Sequence, residues 1–581
     1  MLKYIHEIFY LLGSSRKKAL LLIPIFLLSS IMEVIGIGLI VPYVALITAP
    51  DDSTYNYLFT ILQKIGISIE GNELIILLGM ILIAVFFIKA IVIVFINKII
   101  FKFCLNKGID LRSTLMRNYQ NLPYGEYLKR NSSEYIYSMQ TLVLNYSLDV
   151  LQALLRMFSE GIVIFAIFFA LALINFYAFL MLFILMGAIV LFYDWITKDK
   201  MFKYGELTNK YSSKMIQGIN EGIFGLKEMR ILGKESYFHN MVVNNARKHA
   251  AASVKSAVIR TIPRFFTEFG LILFIVTLVY SFIYFDKGLT SIVPTLSVFG
   301  IASLRLLPSI NQISNNFTAF RFGRDSVHLL YQDIKEISQD KLKGLDNDTS
   351  NSDSFKSMKL IDVKFTYPDR SIPALNKVSL SIKSGDSIGI IGPSGSGKTT
   401  IVDVMLGLLD SQEGVILFND RPINEKLTNF TSQVAYMPQQ VFLIDDSLEK
   451  NIALNEDNIN YTKLEKSIEK AKLTNMVKQL PNGTKTALGE SGIRLSGGQR
   501  QRISLARAFY HERNILVMDE STSALDNETE HEVMEEIKNL KGKVTMIIIA
   551  HRMSTVQHCD YIYRFDKGRI VQQGSFSEVV K

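Results

Sequence analysis

Apolar residues are spread along this chain in two regimes. Before about residue 325 they come in long, nearly unbroken runs, and after it they alternate with polar residues as in an ordinary soluble domain. A helix needs roughly 20 residues to cross a hydrocarbon core. Runs near 19–48, 74–101, 143–174, 177–196, 263–285 and 289–318 are long enough, so the pattern predicts six spans, several of them continuing as helices beyond the core. The first run is too long for a cleavable leader and lacks a small-residue cleavage site, so it is expected to stay as an anchor. Between the first two spans, Tyr55, Leu58, Phe59, Leu62 and Ile65 recur at helical spacing beside Asn56, Gln63 and Lys64. That pattern fits an amphipathic helix, either lying on a membrane surface or capping the bundle.

Charge orients the spans. Arg16, Lys17 and Lys18 precede the first, and Lys102, Lys107, Arg112, Lys198, Lys200 and Lys203 follow the second and fourth, while Asp51, Asp52, Glu70 and Glu73 lie in the first loop on the other side. Basic loops stay in the cytoplasm, so both termini are expected there. The 581 residues, 49% hydrophobic with mean hydropathy +0.23, exceed one domain, and the net charge of +9 follows from the basic loops without invoking nucleic acid. Cys104 and Cys559 are too far apart in sequence to suggest a disulfide framework or a metal cluster. Ionisable residues inside apolar spans cost several kcal/mol unless they face a partner or water. Glu33, Lys89, Arg156, Arg264, Glu268 and Arg305 are of this kind.

The polar stretch 335–354, rich in Asp, Asn and Ser, reads as a linker between a transmembrane domain at 1–334 and a soluble domain at 355–581. In the latter, an apolar strand at Ser387 to Ile391 runs into Gly392-Pro393-Ser394-Gly395-Ser396-Gly397-Lys398-Thr399, followed by a helix from Thr400. This is a P-loop in its strand-to-helix setting. Its glycines let backbone N–H groups wrap phosphates, Lys398 reaches the terminal phosphates, and the Thr399 hydroxyl suits Mg²⁺. A second strand, Ile515 to Met518, ends in Asp519 and Glu520 at the carboxyl edge of a parallel sheet, where ligands bind. Asp519 is the candidate Mg²⁺-side carboxylate and Glu520 the candidate base for the attacking water.

Leu495-Ser496-Gly497-Gly498-Gln499 resembles the signature that sets ABC ATPases apart from other P-loop enzymes. Other motifs of that family occur in order. Tyr367 matches the adenine-stacking aromatic, Gln439 the Q-loop glutamine that senses Mg²⁺, Ser523 to Asp526 the D-loop, and His551 the switch histidine at the γ-phosphate. Glu490 matches a segment found in exporters. The resemblance therefore implies a six-span α-helical transmembrane domain fused to an α/β P-loop ABC ATPase domain, with ATP and Mg²⁺ as cofactors. The implied catalytic residues are Glu520, His551 and Gln439. The implied ATP contacts are Tyr367, Gly392, Ser394, Gly395, Gly397, Lys398, Thr399, Thr400, Ser496, Gly497, Gly498 and Gln499, with Thr399, Gln439 and Asp519 on the metal. Because ATP in this family lies between the P-loop of one chain and the signature of another, a homodimer is implied. The segments near Pro123 to Lys129 and Gly218 to Leu226 resemble its coupling helices.

Among exporters the chain resembles bacterial flippases of lipid-linked oligosaccharides, through Ser30-Ile31-Met32-Glu33, the 55–66 segment, Ile262-Pro263-Arg264 and Ser303-Leu304-Arg305-Leu306-Leu307-Pro308. That likeness implies a polyprenyl-pyrophosphate-linked glycan moved across a bacterial inner membrane, with Lys89, Arg264 and Arg305 as candidate headgroup ligands. A peptide, drug or lipid A-type exporter would share every ATPase motif. A nucleotide-gated channel would tolerate decay of Glu520 or of the signature, and both are intact.

Overall fold

The computed structural model describes residues 2–48, 72–284, 292–339 and 353–580, apart from 369, 426, 455–457, 490, 491, 494, 521–526 and 551. The expected amphipathic segment at 55–66, Glu490, His551 and Ser523 to Asp526 therefore lie outside the described residues. The chain divides into two compact units, Met1–Leu122 with Lys129–Leu342, and Pro123–Leu128 with Lys343–Lys581. The short excursion Pro123–Leu128, one of the segments resembling a coupling helix, thus groups with the second unit.

The first unit is helical. Its main elements are α1 (Leu2–Leu12), α2 (Ile23–Thr48), α3 (Asn72–Gln120), α4 (Ser132–Ile174), α5 (Phe176–Phe224), α6 (Glu235–Tyr284), α7 (Ile292–Phe322) and α8 (Arg324–Gln339). Two turns of α4, Ser138–Leu142 and Asn145–Leu151, are widened to π-helix. The long helices are apolar on nearly every side, and only 6% of the most apolar window of α3 is buried. Ile83, Phe87 and Val94 are each about two-thirds exposed or more. Such a surface is stable only in a non-aqueous setting.

Four helices among the described residues, α3 to α6, are long and apolar enough to cross a membrane, and the bent pair Leu2–Leu20 with Ile23–Gly36 makes a fifth if it counts as one span. The expected count of six is not reached there. Of the stretch at 289–318, the described residues from Ile292 onward lie in α7, and 289–291 fall outside the description. The first residues of the stretch read as linker are helical. Helix α8 buries Val327, Leu330 and Ile334 on one face and continues through Gln339, five residues into the stretch read as linker.

The second unit holds two sheets. An antiparallel sheet carries β1 (Ser357–Phe365), β2 (Leu375–Lys383), β4 (Glu413–Phe418) and β5 (Arg421–Pro422) in the order β2-β1-β4-β5. The other has the order β10-β9-β3-β8-β7-β6, with β3 (Ser387–Ile391), β6 (Val434–Met437), β7 (Ile515–Asp519), β8 (Thr545–Ile549), β9 (Tyr561–Asp566) and β10 (Arg569–Gly574). All its pairings are parallel except β9 with β10. Every residue of β3, β7 and β8 is buried, as expected of parallel strands covered on both faces. Helix α9 (Lys398–Met405) follows β3, and helix α10 (Gly497–His511) precedes β7. The carboxyl ends of β3, β7 and β8 consequently lie side by side.

Candidate functional site

Helix α9 begins where the chain leaves β3, and Gly397 at its N-cap has φ 102°. A Cβ there would come within 2.6 Å of the Ala374 carbonyl oxygen, so the loop closes this tightly only around glycine. The result is a cleft of about 870 Å³ lined by Tyr367, Ser394, Gly395, Gly397, Lys398, Thr399, Thr400, Gln439 and Glu520 from the expected site. Its remaining lining includes Arg370 and Lys567, which no motif singled out.

Lys398 Nζ donates to the carbonyl oxygens of Gly392 at 2.9 Å and Pro393 at 3.0 Å. Burial pulls its ammonium pKa below the usual value, opposed by the charges of Glu520 and Asp519. Gln439 Nε2 donates to Glu520 Oε2 at 2.7 Å. Glu520 itself takes a left-handed conformation, φ 49°, just past β7, and its N–H donates to Ile549 O at 3.1 Å. A non-glycine residue held there marks a position fixed by its surroundings, as at reactive sites. Asp519 is buried at the end of β7 and accepts a hydrogen bond from Tyr436. Burial, reinforced by Asp519, raises the carboxyl pKa of Asp403 in α9 to about 6. Tyr367 is fixed edge-on against Phe365, with ring centroids 5.0 Å apart, and its hydroxyl lies 3.3 Å from Thr400 Oγ1.

The donors suit nucleotide and metal. The Thr399 hydroxyl, the Asp519 carboxylate and the Gln439 amide are oxygen donors, and Mg²⁺ takes only one or two such groups beside phosphate and water. Ser496 to Gln499 are not among the residues lining the cleft. They start α10, where Ser496 Oγ accepts from Gln499 N at 3.2 Å and Gln499 Oε1 accepts from Ser496 N at 2.9 Å, a capping box.

The helical unit has a polar cavity of its own, about 290 Å³, walled by α3, α4 and α7. Among the described residues, Lys89, Arg156 and Arg305 line it with one carboxylate, Glu160. Arg305 Nη2 is 3.6 Å from Glu160 Oε2, which also accepts from Ser309 Oγ at 2.6 Å. Arg156 Nη2 donates to Asn97 Oδ1 at 3.3 Å and lies over Phe101, while Lys89 lies over Phe86. Two of the three expected headgroup residues therefore share one cavity. Arg264 does not belong to it. It is 72% exposed and ion-paired with Glu268 one helical turn away, at 2.8 Å. Arg156 was legible only as an ionisable residue in a span, and Glu160 was missed because it sits in the same apolar run.

Fold and cleft together define a P-loop ATPase domain of the ABC class joined to a helical unit with membrane-spanning character. Residues 375–523 match the ABC transporter family model, so this part of the chain is an ABC transporter domain. A solved bacterial Atm1-family ABC exporter with ATP bound superposes at a TM-score of 0.78 with 22% identity, over 96% of both chains, so the whole chain has the ABC exporter fold. Relatives named ATP-dependent lipid A-core flippase include that of Cupriavidus metallidurans, 31% identical over 62% of this chain and 61% of the relative. That of Salmonella typhimurium is 31% identical over 66% of this chain and 64% of the relative. The matched region thus spans a little over three-fifths of these relatives.

Proposed function

We propose that this chain is an ATP-driven exporter that works as a homodimer in a bacterial inner membrane and carries a phosphate-bearing glycolipid to the outer leaflet. The supporting observation is the cavity in the helical unit, where the described residues place three cations and one carboxylate among apolar spans. Arginine guanidinium groups pair with phosphate oxygens in two parallel hydrogen bonds, so Arg156 and Arg305 suit a phosphorylated headgroup, with Lys89 as a point charge beside them. In the cleft, Lys398 would leave the Gly392 and Pro393 carbonyls for the ATP phosphates. Gln439 would orient Glu520 toward the attacking water, and Thr399 and Asp519 would hold Mg²⁺, which neutralises charge developing on the phosphates.

A polyprenyl-pyrophosphate glycan and a lipid A-type glycolipid both present phosphate. The names of the relatives favour the lipid A-type substrate over the polyprenyl-linked glycan.

Purified protein in proteoliposomes tests both steps. Hydrolysis should rise with lipid A bearing core sugars more than with a polyprenyl-pyrophosphate oligosaccharide or a peptide, and Glu520→Gln should bind ATP without turnover. Arg156→Ala with Arg305→Ala should cut lipid-stimulated hydrolysis by at least about tenfold, or ~1.4 kcal/mol. Unchanged stimulation in that double variant, or a response to peptide alone, would reject the glycolipid reading.

A further inference from the structure

Of the polar clusters that tie distant parts of the helical unit together outside the cavity, the one around Arg130 and Asp333 stands beside the crossings to the other unit. Arg130 lies two residues past Leu128, the end of the excursion that groups with the ATPase unit. Its Nη1 is 2.6 Å from Asp333 Oδ1 and its Nη2 3.4 Å from Asp333 Oδ2, a two-pronged ion pair across 203 residues of sequence. Tyr119, at the end of α3, donates its hydroxyl to Asp333 Oδ2 at 2.8 Å. Arg130 Nε reaches Glu134 Oε2 at 2.8 Å, and the guanidinium lies over the Tyr135 ring, 5.0 Å from its centroid. The Asp333 side chain is only 8% exposed, so its charge is held away from water by these partners.

The position of the pair matters more than its strength. Asp333 is on α8, the helix that runs toward Lys343, where the chain passes into the ATPase unit. Arg130 stands where the excursion Pro123–Leu128 returns, and α4 begins immediately after it and carries Arg156 and Glu160 to the cavity. The chain crosses between the units after Leu122, Leu128 and Leu342, and the stretches beside these crossings, carrying Tyr119, Arg130 and α8, meet at one buried carboxylate. A hydrophobic contact would let the two segments slide, whereas a two-pronged pair with a third hydrogen bond fixes distance and orientation. The π-widened turns of α4 follow its first six residues, and the Oγ of Ser138, where they start, is 3.5 Å from Arg130 Nη2.

We infer that Arg130 and Asp333 form a clasp that makes the excursion and the exit helix move as one piece, so that nucleotide-driven displacement reaches α4 and the cavity. They are positioning residues, and touch neither nucleotide nor substrate. The inference rests on the ATP-driven transport reading for its purpose, but its geometry can be tested without it.

Two measurements on the full chain decide the matter. Spin labels at Lys129→Cys and Gln332→Cys report the distance across the clasp, the buried native Cys104 and Cys559 staying unlabelled. The distance should stay within about 2 Å between the nucleotide-free and Mg-ATP-vanadate-trapped states, the scale of small helix shifts. Asp333→Asn should broaden or lengthen it on trapping. In proteoliposomes, Asp333→Asn should lower the stimulation of ATPase by lipid A at least about fivefold while basal hydrolysis stays within about twofold. The reversed pair Arg130→Asp with Asp333→Arg should recover at least half of the stimulation. A distance that changes on trapping in the native pairing would overturn the clasp. So would undiminished stimulation in Asp333→Asn, or parallel loss of basal and stimulated hydrolysis with no change in their ratio. If Asp333→Asn does not fold, the reversed pair and the label distance in the native pairing still decide. Absence of lipid stimulation in the native chain would count against the transport reading alone, and the label distances would judge the clasp.

Discussion

At the scale of single residues, Asp403 shows how unfavourable charge is stored in the P-loop helix, beside Asp519. Its carboxyl pKa is raised to about 6 by burial and by the neighbouring Asp519. The unfolded value is near 3.9, so between about pH 4 and pH 6 the folded chain holds more protons than the unfolded one. Stability from this group therefore falls as pH rises through that window and is flat above it. Asp403→Asn removes the cost, and should stabilise the protein at pH 7.5 by roughly 1 kcal/mol after allowance for partial exposure, with little effect at pH 4. Thermal unfolding of the two proteins at both pH values checks this, and an equal gain at both would refute the charge origin. Asp403 had no signal in the sequence. Lys398, Glu520 and Gln439 did, because their roles are written into contiguous motifs, whereas the environment of Asp403 is created by a strand more than a hundred residues later.

At the scale of elements, the ease of reading the chain followed how local the determining physics was. Strands β3 and β7 announced themselves as short apolar runs followed by a glycine loop or a carboxylate pair, and they flank β8 on either side within the sheet. Helix α8 was half hidden, since its buried stripe of Val327, Leu330 and Ile334 ends before its polar last turn. The cavity was the hardest case. Lys89, Arg156 and Arg305 stand on α3, α4 and α7, so only packing reveals that they meet, and the same packing leaves Arg264 paired along its own helix with Glu268. Charge within an apolar run thus located candidates, but not their partners.

At the scale of the whole molecule, the cleft is built from the chain's own P-loop while the signature caps α10 and lines no part of it. If a second copy supplies the signature, the two defects Ser496→Arg and Lys398→Ala should complement. Mixed dimers hold one site with both elements intact, and their ATPase should exceed either parent by at least about tenfold. No gain in tagged, purified heterodimers would refute the shared site.

The cavity in the helical unit has an electrical consequence. Among the described residues its lining carries two more positive than negative groups. Loaded with a doubly anionic headgroup it is close to neutral, and crosses the membrane field with little work. Emptied, it returns with that excess of positive groups, and each net charge moved through the full field exchanges about 2.3 kcal/mol per 100 mV. An inside-negative potential then pulls the empty cavity back toward the cytoplasm, so the resting voltage of the cell, as well as ATP, would reset the cycle. In vesicles with an imposed potassium diffusion potential, turnover limited by this return should accelerate as the interior becomes more negative for inward-facing ATPase domains, and a voltage-independent rate would mean that these charges do not move within the field.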